Sequence, residues 1–167
     1  MTLRLILTRH AKSDWSHAGL ADHDRPLNER GNVSAPAIGL WQKRHGYLPD
    51  TALLSTATRV RETWSLISAE LGRTVSERYE SGLYHADPDH MLCYLAGETA
   101  QTVQMIGHNP GMCELVRQLS ATTIPHEAFS RFPTCATLVL DFSADSWTDI
   151  RDRSGTVVDF VIPRELV

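Results

Sequence analysis

Two histidines and two arginines, each standing just behind a short apolar run, are the side chains here best suited to handling a phosphoryl group. Arg9-His10 follows Leu3 to Thr8, Ser55-Thr56-Ala57-Thr58-Arg59 follows Ala52, and Gly107-His108-Asn109-Pro110 follows Thr102 to Ile106. A guanidinium fork matches the oxygens of a phosphate and stabilises their charge as the group moves. A neutral imidazole can attack phosphorus and carry the group as a covalent intermediate. Phosphoryl transfer is mainly positioning and electrostatics, so this residue set asks for no metal and no cofactor. Each residue alone has a plainer reading. A lone histidine is usually structural, Arg59 opens an amphipathic helix and suits solvent there, and Arg61 competes with it. Only the three clusters together point to this chemistry.

For the clusters to meet, the runs behind them must be neighbouring parallel strands, because open sheets bind ligands beyond the carboxyl ends of their strands. The pattern allows this. Leu3 to Thr8 suits a buried strand, residues 13–27 are polar and read as a loop, and Asn28 to Arg44 is helical despite Gly31 and Pro36. Ala52 to Ser55 is a second strand. A helix follows in which Val60, Trp64, Ile67 and Leu71 recur at helical spacing before Gly72 stops it. Val75 to Tyr79 reads as extended, and Asp87 caps a helix opening at Pro88 and ending near Ala96. Thr102 to Ile106 is a strand. Asn109 is expected to cap a helix opening at Pro110, with Met112, Leu115, Val116 and Leu119 on one face and its free N–H groups turned to the pocket. Thr137 to Phe142 and Val157 to Ile162 are late strands. Strand–helix repeats followed by strands predict an α/β fold, a three-layer α/β/α sandwich around a mostly parallel sheet.

Arg9-His10-Ala11-Lys12-Ser13-Asp14-Trp15-Ser16 resembles the RHG signature of the histidine phosphatase superfamily. Asp24-Arg25-Pro26-Leu27 with Glu29-Arg30-Gly31 resembles the SixA-type, phosphohistidine phosphatase branch. Ser55 to Arg59 with Glu62-Thr63, and Gly107 to Gly111, resemble the second and third blocks, in the family's order over residues 3 to about 120. The resemblance implies a phosphoglycerate mutase-like fold. It implies His10 as the nucleophile, Arg9 and Arg59 as phosphate ligands, and His108 as the second histidine on the transferred group. Ser16 stands where many relatives carry an Asn near the phosphate, and Asn109 either shapes the pocket or caps the helix. Ala11 replaces the usual Gly. Larger members also carry a carboxylic acid for the leaving oxygen. Glu80 lies nearest the expected region, but its surroundings do not match. A missing acid disfavours alkyl phosphates, whose alkoxides need a proton, more than phosphohistidine, whose imidazole leaves readily. The preferred substrate is therefore phosphohistidine on a protein. The alternatives are a small phosphate ester or, without catalysis, a phosphoprotein-binding module.

Composition bounds the rest. The chain has 167 residues, 42% apolar and 22% charged, enough for one domain spanning 1–167 with a real core. Net charge is −4, with no basic run and no aromatic–basic interleaving, which argues against nucleic acid. Cys93, Cys113 and Cys135 are odd in number and widely spaced, so they read as buried thiols in a reducing compartment. The apolar start is too short to span a membrane, and a cytoplasmic monomer is expected. His17, His23, His45, His85, His90 and His126 read as surface or loop residues. Asp22 and Asp24 read as solvated, with Asp24-Arg25 a possible loop pair. Trp41 and Trp64 read as core.

Overall fold

The computed structural model describes all 167 residues. The chain runs β1 (Thr2–Arg9), α1 (Glu29–His45), β2 (Thr51–Ser55), α2 (Thr58–Leu71), β3 (Ser76–Glu80), α3 (Pro88–Ala96), β4 (Thr102–Gly107), α4 (Gly111–Leu119), β5 (Thr137–Ser143) and β6 (Thr156–Val161). The strands form one sheet in the order β3-β2-β4-β1-β5-β6. β1 pairs in parallel with β4, and β2 with both β3 and β4. β5 runs antiparallel to β1 and to β6, so it alone is reversed in an otherwise parallel sheet.

Alternation along the strands divides the core into two layers. Leu3, Leu5 and Leu7 of β1, Val103 and Met105 of β4, and Leu138, Leu140 and Phe142 of β5 face one side. There they meet Met91 and Leu95 of α3 and Met112, Leu115, Val116 and Leu119 of α4. Ile6, Ala52, Leu54, Ile106 and Val139 face the other side, against Ile38 and Trp41 of α1 and Val60, Trp64, Ile67 and Leu71 of α2. Each aliphatic side chain buried this way contributes roughly 1.5–3 kcal/mol. That packing carries α1 unbroken through Gly31 and Pro36, against its local propensity. Gly31 itself is required, since a Cβ there would lie 2.3 Å from the Lys12 carbonyl oxygen.

The chain leaves β1 for a helix on one face and β4 for a helix on the other. The crevice beyond these adjacent strands is a topological switch point, where open α/β sheets bind ligands. β2, β4 and β1 are consecutive in the sheet, so the three polar clusters emerge side by side. The backbone N–H of His10 donates to the Gly107 carbonyl at 3.1 Å and ties two of them together.

Several expectations shift. Segment 13–27 is held rather than loose: Ser13 bridges Leu27, Asp22–Asp24 form a 3-10 turn, and Arg25 is buried. α4 starts at Gly111. The Met112 N–H goes to the His108 carbonyl at 2.8 Å and the Cys113 N–H to Asn109 Oδ1 at 3.1 Å, so these N–H groups serve the turn and not a ligand. Only Cys135 is a buried thiol. Cys93 is exposed and Cys113 intermediate, on elements whose inner faces are filled by larger apolar side chains. No helix is long and apolar enough to cross a membrane.

Candidate active site

The crevice opens into a cavity of about 210 Å³ whose wall includes Arg9, His10, Arg25, Arg59 and His108. Lys12 adds a fourth cation, and Asp22 is the single carboxylate. The excess of positive charge makes this an anion site, although the whole chain is acidic.

His10 closes the end of β1 and is 6% exposed. Its Nδ1 lies 2.7 Å from the Ala11 carbonyl, which can only accept, so Nδ1 carries the proton and Nε2 keeps its lone pair. Burial pushes the imidazole pKa down to about 3 against the lift from that hydrogen bond, and Arg59, Arg9 and Arg25 push it further. The ring is thus neutral at pH 7, and Nε2 has no protein partner. The Ala11 N–H donates to Thr63 Oγ1 at 2.9 Å, which locks this turn onto α2.

His108 sits 5.3 Å from His10, ring centre to ring centre. Its Nδ1 accepts from Arg59 Nη2 at 3.3 Å, which leaves Nε2–H to donate to Ser55 Oγ at 2.8 Å. Burial holds this imidazole far below its ordinary pKa, with His10, Arg59 and His85 adding to the effect and Asp22 opposing it. Arg59 therefore fixes the tautomer of a histidine from the end of β4, and Ser55, from the end of β2, anchors its Nε2–H.

The two cluster arginines differ. Arg9 donates through Nη1 to the Phe132 carbonyl at 3.4 Å, and no carboxylate lies within 4 Å of it. Arg59 is 2% exposed and donates to the Asp22 carbonyl at 2.7 Å and to Asp22 Oδ2 at 3.0 Å. Both have a buried Nε–H without an acceptor. An unmet buried donor is costly, and both of these belong to arginines that line the one cavity.

Sequence reasoning missed the group that organises these cations. Asp22, read as solvated, accepts from Arg25 Nε at 3.1 Å and Nη2 at 3.0 Å, from Arg59, from the Tyr84 hydroxyl, and from His85 Nε2 at 3.1 Å. Burial works to raise its pKa, but hydrogen bonds from Tyr84, Arg25, His85 and Arg59 overcome this and hold it well below the carboxylate range. Asp22, not Asp24, is the partner of Arg25, because the 3-10 turn brings residue 22 beneath residue 25; Asp24 faces His23 instead. Arg25 also donates to Ser13 Oγ at 2.6 Å and stacks 3.5 Å over Trp15. His85, read as a surface residue, lines the cavity with its ring 4.8 Å from that of His108. The available signal was position: Tyr84-His85 follows β3, on the same sheet edge as the other clusters.

Two expected residues stand apart. Ser16 is exposed and off the cavity wall; its N–H caps Asp14 Oδ1 at 2.7 Å. Asn109 reaches the wall, but its amide is spent on the Arg131 and Phe132 carbonyls and on Cys113, so it braces the turn before α4. Glu80 is paired to Arg78 at 3.0 Å and lies outside the cavity. No cluster of three or more His, Cys, Asp or Glu suited to a metal ion is present.

Comparison with known proteins agrees with this geometry. Residues 5–83 match the histidine phosphatase superfamily, branch 1. An uncharacterised protein of Mycobacterium tuberculosis is 33% identical, over 93% of this chain and 99% of its own length. Among solved structures, the Agrobacterium tumefaciens protein assigned as phosphohistidine phosphatase SixA is 29% identical. It covers 96% of this chain and 99% of its own, with a TM-score of 0.78. The corresponding protein of Nakamurella is 27% identical over 98% and 97% of the two chains, with a TM-score of 0.78.

Proposed function

We propose that this chain, which belongs to the SixA-type branch of the histidine phosphatase superfamily, hydrolyses phosphohistidine on a protein partner. The fold is the phosphoglycerate mutase-like sandwich, and the chain is a hydrolase, a phosphatase working through a phosphorylated histidine. What remains is which residues act and on what.

His10 is the nucleophile in this reading. Its Nε2 lone pair attacks phosphorus, the phosphorus–nitrogen bond of the substrate breaks, and the imidazole leaves with a proton from solvent. Arg9 and Arg59 hold the phosphoryl oxygens with their guanidinium groups, and His108 lies alongside. Water then attacks phospho-His10, inorganic phosphate departs, and the Nε2 lone pair returns. A neutral, desolvated imidazole beside fixed cations needs little reorganisation for this step.

The observation that carries the substrate choice is the state of Asp22. It is the single carboxylate in the cavity, and four side chains hold it ionised, so it has no proton to give. A leaving alkoxide would need one; a leaving imidazole needs far less help. One observation favours phosphate esters as a second reading. His85, donating Nε2–H to Asp22, stands at the cavity wall where a protonated imidazole would serve as the acid.

The test compares a phosphohistidine peptide with an alkyl phosphate, glycerol 2-phosphate, on wild type, His10→Ala and His85→Ala. The reading expects the peptide to be favoured by at least tenfold, His10→Ala to be dead on both, and His85→Ala to retain peptide turnover. Equal turnover of the ester, lost in His85→Ala, supports the second reading instead.

A further inference from the structure

Beside the catalytic cavity lies another of about 190 Å³, and the two share Lys12 and Thr134 as a common wall. The second is lined by Lys12, Arg30, Arg131 and Arg164 and by no carboxylate. It lies between the start of α1, the 128–134 segment and the turn Pro163–Glu165. Together the two cavities gather seven of the chain's 16 lysines and arginines around one carboxylate, in a protein of net charge −4. Resting on the reading that the substrate is a phosphohistidine protein, we propose that this basic groove is a specificity subsite for acidic side chains flanking the phosphohistidine.

Three features separate the groove from an ordinary solvated surface. Arg164 is paired, to Glu127 at 2.8 Å, but Lys12, Arg30 and Arg131 have no carboxylate within 4 Å. Arg30 stands in the first turn of α1, where the helix dipole disfavours a cation, so helix stability does not account for it. The wall is also built onto the catalytic residues. The Cys135 N–H donates to the carbonyls of Arg9 and His10, both at 3.0 Å, and Asn109 holds the carbonyls of Arg131 and Phe132. The backbone at Arg131 is therefore set at a fixed offset from His10, as a subsite for a chain already held by its phosphoryl group must be. The groove continues past Arg30 and Arg164 into an outer hollow beside Glu29, Val33 and Val167, so an extended segment has room to leave, and the acidic preference belongs to the inner groove alone. Exposed ion pairs are individually weak and salt-screened. Three of them amount to about a tenfold gain in kcat/KM, expressed in KM.

The test uses two phosphohistidine peptides that differ only in carrying Glu or Gln at the flanking positions. They are compared on wild type and on the Arg30→Glu/Arg131→Glu variant, with inorganic phosphoramidate as a small substrate. Wild type is expected to favour the Glu peptide about tenfold, 0.5 M salt to erase the preference, and the variant to lose or reverse it. Equal kcat/KM for the two peptides on wild type, or a preference that survives charge reversal, overturns the groove proposal. Turnover of phosphoramidate with neither peptide hydrolysed overturns the protein-substrate reading itself, and this proposal with it.

Discussion

Replacing Ser55 with alanine removes one oxygen and isolates the way this site holds His108. Ser55 Oγ is fully buried and accepts the His108 Nε2–H at 2.8 Å, and more weakly the Ala57 N–H at 3.3 Å. Alanine fits the space, so the loss is electrostatic. A buried donor left without an acceptor costs roughly 1–3 kcal/mol. For a chain of this size that lowers Tm by about 2–4 °C per kcal/mol, or about 5 °C in all. The functional effect should be larger than a general loosening. With Ser55 gone, Arg59 still donates to His108 Nδ1 and keeps the tautomer, but the ring loses the anchor on its Nε2–H side and is free to tilt. We expect kcat to fall about tenfold with KM nearly unchanged, the pattern of a lost transition-state interaction. The assay is a double-mutant cycle of Ser55→Ala and His108→Ala, scored by kcat and by urea unfolding. In the His108→Ala background, Ser55→Ala should have little further effect on kcat. Multiplicative rate losses, or a single variant within 0.5 kcal/mol of wild type at full activity, would refute the claim that Ser55 anchors His108.

Two further perturbations probe the surrounding structure. His10 and His108 are held neutral, with native pKa values below the 6.5 of the unfolded chain, so below pH 6.5 the unfolded chain takes up protons that the native state does not. Stability should be full above pH 6.5 and decline steadily towards pH 3; Asp22, depressed from 3.8, adds a loss only below about pH 4. Thermal melts across this range should show that decline and its flattening in His10→Ala; a flat wild-type profile from pH 6.5 to 4 contradicts the assignment. Gly31→Ala would drive a Cβ to 2.3 Å from the Lys12 carbonyl, a backbone atom two residues past His10. We expect a loss of about 1–3 kcal/mol from overpacking, with kcat reduced as the His10 turn shifts. Wild-type stability would show that α1 does not brace that turn.

What the amino-acid string revealed was the local part of this site. Leu5, Ile6 and Leu7 announce a strand by composition, and His10 announces its end. The same holds for Ser55 and His108, and three strand ends on one sheet edge suffice to bring them together. Asp22 and His85 were not legible in this way. Each lies in a polar stretch with no period, and each acquires a role through a contact spanning loops: Asp22 with Arg59, and His85 with Asp22. Asn109 takes the capping role, its Oδ1 accepting from the Cys113 N–H, and only the expected opening towards a ligand fails. A capping residue before Pro110 suggested a helix end offered to a ligand, but the Arg131 and Phe132 carbonyls, 22 and 23 residues away, claim its amide. The antiparallel pairing of β5 with β6 goes with a connection that holds a 3-10 turn and no α-helix to carry a parallel crossover.

The central claim is that His10 Nε2 takes the phosphoryl group, and a single-turnover trap tests it most directly. A phosphohistidine protein labelled on phosphorus is mixed with excess enzyme, quenched in denaturant at neutral to alkaline pH, and mapped by mass spectrometry. The account predicts transient phosphate on the peptide containing His10, decaying at the rate at which inorganic phosphate appears, and no label in His10→Ala. Turnover at the wild-type rate by His10→Ala, or label that accumulates on another residue and decays at the catalytic rate, would contradict it.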